Sequence, residues 1–205
     1  MTRTLVIVRH GNTFAAGEAP RRIGARTDLP LVPSGHEQAR HLGAWFAQQG
    51  WRFDHVLCSP LRRTRETAEA IRAAQAGAPP VEASDLLVEI DHGVDEGRTE
   101  DEVVARIGAE ALAAWDTRAE APDGWTVDRN ARITGWRSFL KEPKDDTVLL
   151  VTSNGAARFA LLADPALVVQ AGHQSSWKLR TGAFGIVQVT GDGVRLVTWD
   201  QRPDQ

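Results

Sequence analysis

Four consecutive apolar residues, Leu5-Val6-Ile7-Val8, three of them β-branched, run straight into Arg9-His10-Gly11. Such a run is too short for a helix face and needs cover on both sides. It therefore reads as a strand inside a sheet buried on both faces. Thr147 to Thr152 repeats the pattern, Val56-Leu57 gives a shorter version ended by Ser59-Pro60, and a further extended piece falls near Val81 to Val88.

Helical patterns separate these runs. Ser34 with Glu37 has capping-box spacing, and Ala39, Leu42 and Phe46 continue that helix to a stop at Gly50. A second helix is expected from about Leu61 to Ala74, before Gly77-Ala78-Pro79-Pro80. Thr99 with Glu102 opens a third that runs to about Trp115, and others are expected at about Asp128 to Leu140 and Ala156 to Ala163. Near the end, Phe184 to Val189 and Val194 to Trp199 flank Gly191-Asp192-Gly193, a hairpin signal. Alternating strands and helices predict an α/β fold: a three-layer αβα sandwich with a mostly parallel central sheet and an antiparallel C-terminal hairpin. With no repeat, low-complexity tract or linker, residues 1–205 read as one domain.

Composition removes several function classes. A net charge of -3 gives no general attraction to nucleic acid or anionic membrane. Cys58 is the only cysteine, which excludes an internal disulfide and any Cys-rich zinc site. No metal-ligand spacing occurs, so neither a metal nor another cofactor is expected. No run approaches the ~18 apolar residues needed to span a bilayer, and charged Arg9 and His10 follow the first apolar run too closely for a signal peptide. The expectation is a cytoplasmic protein; the sequence is silent on oligomeric state.

In open α/β sheets, ligands bind beyond the carboxyl ends of the strands. Polar residues directly after strands are Arg9 to Thr13, then Ser59, Arg62 and Arg63, then Glu89, Asp91 and His92, then Ser153, Asn154 and Gly155. One imidazole, several guanidiniums and a carboxylate thus converge on one rim, a set suited to phosphoryl transfer. The imidazole can carry the group covalently, guanidiniums stabilise its charge, and a carboxyl group can protonate the leaving oxygen. Gly11 would let the backbone approach a phosphate closely. Spacing alone does not choose among Arg62, Arg63 and Arg65, or separate Glu89 from its competitors Asp91 and Glu96. Arg40-His41 is a control: the same dipeptide sits mid-helix with no glycine after it and is given no role.

Arg9-His10-Gly11-Asn12-Thr13 resembles the Arg-His-Gly-x-Thr/Ser signature of the histidine phosphatase superfamily, which includes the cofactor-dependent phosphoglycerate mutases. Arg22 to Gln38, Ser59 to Ala68, Leu87 to Gly93 and Thr181-Gly182-Ala183 resemble successive blocks of the same family, in register along nearly the whole chain. The resemblance implies His10 as the covalent nucleophile, Arg9 and Arg63 as phosphate ligands with Asn12 assisting, and Glu89 as the proton donor. One block departs from the pattern. Where the family ends a strand with Ser-His-Gly, this chain has Ser153-Asn154-Gly155. Asn154 can donate a hydrogen bond to the phosphoryl group but carries no positive charge. His92 and His173 are the histidines that could stand in spatially for the missing one.

The resulting expectation is a phosphatase acting on a small phosphorylated metabolite through phosphohistidine at His10. The alternatives are a weakened or non-catalytic phosphate binder of the same fold, or a phosphomutase. The stretch from about Asp91 to Trp136, with Trp115 and Trp125, is expected to form part of the pocket wall.

Overall fold

The structure is a computed structural model, and it describes residues 1–174 and 176–203. Six strands, β1 (Arg3–Arg9), β2 (His55–Cys58), β3 (Val81–Ala83), β4 (Thr147–Thr152), β5 (Phe184–Thr190) and β6 (Gly193–Gln201), form one sheet in the order β3-β2-β4-β1-β5-β6. The pairs β3/β2, β2/β4 and β4/β1 are parallel, whereas β5 runs antiparallel to both β1 and β6. The α-helices among the described residues are α1 (Pro33–Gln48), α2 (Arg62–Ala73), α3 (Glu100–Arg118), α4 (Arg129–Leu140), α5 (Asn154–Leu161) and α6 (Pro165–Ala171).

Alternation along the central strands divides the core. Leu5 and Ile7 of β1, with Val148 and Leu150 of β4, join the cluster that includes Trp115, Trp136 and Phe159 from α3, α4 and α5. Val6, Val8, Leu149 and Val151 face the other way, onto Leu42 and Phe46 of α1 and Ile71 of α2. Each such side chain, fully buried, contributes about 1.5–3 kcal/mol. Two apolar faces on one strand are why the runs at Leu5 and Val148 lack polar alternation, and the three-layer expectation holds.

Local differences have local causes. Ser34 does not cap α1: the helix begins at Pro33, whose ring presets the first helical φ, and Val32 is the N-cap. Ser34 Oγ instead accepts from Asn12 Nδ2 at 3.3 Å. The extended piece at Val81 stops at Ala83, because Asp85–Leu87 folds into a 3₁₀ turn. That turn leads the chain back across the sheet, where Thr152 Oγ1 donates to Leu87 O at 2.6 Å. The Thr99–Glu102 capping box forms as expected, but α3 kinks at Gly108 and continues to Arg118. Helix α5 begins at Asn154, two residues before the Ala-rich run, and α6 had no counterpart in the sequence pattern.

Candidate active site

Parallel pairing places the carboxyl ends of β1 and β4 side by side, with Arg9 opposite Thr152. His10 and Asn154 therefore leave the sheet at neighbouring points. Because β5 runs the other way, its entry segment meets the same edge: Arg9 N donates to Ala183 O at 3.0 Å. Strand β6 returns there too, with Gln201 opposite Phe184, so Arg202 also reaches this rim. A cavity of about 690 Å³ opens above, lined among others by Arg9, His10, Asn12, Glu89, Asn154 and Arg202.

His10 lies at the cavity floor, only 2% exposed. Its Nδ1 is 2.8 Å from Gly11 O. A carbonyl oxygen can only accept, so Nδ1 carries the hydrogen and the neutral ring keeps its lone pair on Nε2. Burial, then the charges of Arg63 and Arg9, hold the His10 pKa well below the ordinary 6.5, although Gly11 O pulls the other way. The unprotonated nucleophilic form is therefore the resting one at neutral pH.

That shift carries a cost in stability. Just below pH 6.5 the unfolded chain protonates His10 and the folded chain does not, so stability falls with pH by up to about 1.4 kcal/mol per unit. His10→Gln should remove this component. Urea unfolding at pH 7.5 and 5.5 should show the wild type losing more stability than the variant, and equal losses would contradict the shift.

Gly11 also has a packing role: a Cβ there would lie 2.3 Å from Gly35 O, so the glycine lets the loop pack on the α1 backbone. Gly11 N donates to Thr67 Oγ1 at 3.2 Å, and that hydroxyl donates to Arg63 O at 2.8 Å, which ties the loop to α2.

Of the three candidate arginines, Arg62 and Arg65 are exposed and Arg63 is fully buried. Arg63 sits behind the cavity wall rather than on its lining. It donates from Nη1 to Thr27 O at 2.6 Å and from Nη2 to Gly24 O at 3.1 Å. Arg9 Nη1 donates to Leu179 O at 2.7 Å. The Nε atoms of both arginines are buried without a partner among the described residues. Burial above all, with Arg63 among nearby cations, brings the Arg9 pKa down to about 10, so it stays charged at neutral pH. Unmet buried donors cost about 1–3 kcal/mol each, and more when charged. Two guanidiniums with unmet donors beside a neutral imidazole make a site electrostatically prepared for an anion.

Glu89 is buried in the same wall. Its Oε1 accepts from Ile90 N at 2.8 Å and its Oε2 from Gly155 N at 3.0 Å. The absence of a side chain at Gly155 permits this contact, since a Cβ there would lie 2.4 Å from Oε1. The competing carboxylates are committed away from the lining: Asp91 pairs with Arg26 at 2.9 Å, and Glu96 accepts from Gly24 N at 2.7 Å and Thr27 Oγ1 at 2.5 Å. Asn154 lines the cavity, and its Oδ1 accepts from Leu179 N at 2.8 Å, which leaves its NH2 group as the spare donor. Asn12 lines it too, but its Oδ1 accepts from Thr181 Oγ1 at 2.5 Å and its Nδ2 donates to Ser34. Its side chain mainly braces the walls against each other.

His92 is buried and on the lining, with Nδ1 3.5 Å from Glu96 Oε2 and its ring edge-on to Trp125. His173 is exposed and off the lining. Trp115 lines the cavity, while Trp125 backs it at a centroid distance of 5.3 Å from Trp115. The sequence reading missed Lys178, Arg180 and Arg202 as lining residues; only the quoted block around Thr181 hinted at that wall.

Residues 5–202 match the family model described as the histidine phosphatase superfamily, branch 1. The chain is 30% identical over 158 residues to the uncharacterized phosphatase PhoE of Bacillus subtilis (strain 168), covering 77% of this chain and 75% of that protein. It is 28% identical over 171 residues to a 2,3-bisphosphoglycerate-dependent phosphoglycerate mutase of Brucella ovis, covering 80% and 82%. Among solved structures, a mycobacterial hydrolase superposes with a TM-score of 0.79 at 22% identity, covering 99% of this chain and all (100%) of that one. The alpha-ribazole phosphatase of Shigella flexneri superposes with a TM-score of 0.72 at 24% identity, covering 97% and 96%.

Proposed function

The chain belongs to the histidine phosphatase superfamily, and from that premise we propose that it hydrolyses a small phosphomonoester through a phosphohistidine on His10. The observation that carries this reading is the neutral, buried His10 ring within the fields of Arg63 and Arg9, whose Nε groups have no partner among the described residues.

In this reading Nε2 of His10 attacks phosphorus as the bond from phosphorus to the ester oxygen breaks. Glu89, a carboxylate at rest that accepts from Ile90 N and Gly155 N, takes up the proton brought in by the substrate monoanion and passes it to the departing oxygen. Nδ1–H, already directed to Gly11 O, stabilises the charge the ring acquires. Arg9 holds the transferred oxygens directly, Arg63 contributes its charge and spare N–H groups from behind, and Asn154 offers its NH2, with Asn12 fixing the walls. A water molecule, deprotonated by Glu89, then attacks phosphorus and breaks the bond to Nε2, which releases inorganic phosphate and restores both groups. Hydrolysis is preferred to mutase transfer because a 690 Å³ cavity leaves ample room for water, at about 30 Å³ per molecule, beside a phosphoryl group.

Asn154 in this role is a neutral donor. A hydrogen bond to a charged group is worth about 1.5–3 kcal/mol, so its weakening slows transfer without abolishing it. Rapid alkaline-detergent quench of the protein mixed with an aryl phosphate radiolabelled at phosphorus should trap a base-stable, acid-labile phosphoenzyme at His10. Multiple turnovers with no trapped label under single-turnover conditions would refute the covalent route, and binding without either would favour the non-catalytic alternative.

A further inference from the structure

Among the cavity-wall cations that have no part in the transfer just described are Arg180, before β5, and Arg202, after β6. They are brought together by the return of the last strand to the rim. Arg202 Nη2 donates to Thr181 O at 2.8 Å, and its Nε is buried with no partner among the described residues. Arg180 is anchored on Asp200 through Nε to Oδ2 at 2.6 Å and Nη2 to the carbonyl at 3.0 Å. Arg180 also donates its backbone N–H to Asp200 Oδ1 at 2.6 Å, so it engages both oxygens of that carboxylate. Arg202 forms no ion pair with a carboxylate among the described residues.

The backbone supports this arrangement at a cost. Asp200 has a φ of 57°, one of two non-glycine residues in the left-handed region among those described. The β5/β6 register also shifts between Phe184 and Val187. Left-handed backbone is strained for an L-residue, and irregularities at a strand end re-aim the residues that follow. Here the re-aimed residue is Arg202, which is delivered to the cavity beside Arg180 and within electrostatic reach of Arg9. Like charges gathered on a cavity wall, one with an unmet buried donor, form a site for an anion additional to the transferred phosphoryl group.

We propose that Arg180 and Arg202 form a second anion subsite, so that the substrate is a phosphomonoester whose leaving group bears a further carboxylate or phosphate. This inference rests on His10 marking the phosphoryl end of the cavity. Three aryl esters test it: phenyl phosphate, 4-carboxyphenyl phosphate and 1,4-phenylene bisphosphate. The wild type should show kcat/KM at least tenfold higher for one of the two charged esters than for phenyl phosphate, and the better one identifies the anion. Arg202→Gln and the Arg180→Gln/Arg202→Gln pair should raise KM for that ester, with a loss at least ten times larger than for phenyl phosphate. No preference in the wild type, or equal losses on all three esters, would overturn the subsite. Calorimetric titration of the esters into His10→Ala protein separates this outcome from failure of the phosphatase reading. If no ester is turned over by the wild type, that reading falls, while Arg202-dependent tighter binding of a charged ester still supports the subsite and its absence still rejects it.

Discussion

His10→Ala should reduce turnover of phosphomonoesters by roughly 10⁴-fold or more, the scale on which losing a covalent nucleophile acts in enzymes that depend on one. The same variant should bind inorganic phosphate about as well as the wild type. His10 is neutral in the resting protein, so its removal subtracts no positive charge from the floor. Arg9 and Arg63 keep their unmet donors, and Asn154 keeps its NH2 group. Separation of turnover from binding is the distinctive result. A protein that only bound phosphorylated ligands would have no turnover to lose, and a hydrolase using water directly would retain a substantial fraction of its rate. Steady-state kinetics on an aryl phosphate, paired with phosphate titration by calorimetry, measures both quantities in one preparation. Retained turnover would end the case for His10 as nucleophile.

What the sequence made legible follows from how local each signal is. The apolar runs at Leu5 and Thr147 announced the two central strands because burial on both faces leaves no polar alternation. Thr99 and Glu102 announced a helix start because both halves of a capping box lie within one turn. His10, Glu89 and Asn154 could be picked out because each follows a strand or a family block, and all three line the cavity. Ser34 misled because Pro33 beside it is the stronger determinant of where a helix begins. Val81 to Val88 read as one extended piece, since nothing local announces the turn at Asp85 that carries Glu89 back over the sheet. The close packing of Gly11 on Gly35 was out of view because the two are distant in sequence. Arg202 lay furthest from view. Its place on the cavity depends on β5 reversing direction, on β6 returning, and on an irregular step at Asp200, none of which any local pattern encodes.

Glu89→Gln should lower kcat/KM, which reports transfer to His10 and not the later attack of water, by about 10²- to 10⁴-fold on alkyl phosphates, the usual contribution of a positioned general acid. On esters with good leaving groups, such as p-nitrophenyl phosphate, the loss should be about tenfold or less, because that oxygen departs without taking a proton. The ratio of the two losses matters more than either alone, because Glu89 also holds the fold. Each of its oxygens accepts a buried backbone N–H, from Ile90 and from Gly155. A glutamine can accept at one position only; at the other its NH2 would face a donor, at a cost of about 1–3 kcal/mol. The substitution also removes a negative charge felt by Arg9, Arg63, Arg132 and Arg158. Thermal unfolding should therefore show a destabilised protein. A purely structural role would slow all esters alike, since a displaced α5 and loosened arginines do not sense the leaving group. Only a proton delivered to the departing oxygen makes the damage grow as that oxygen becomes more basic. A flat dependence on leaving group, with the variant still folded at the assay temperature, would move the acid role away from Glu89.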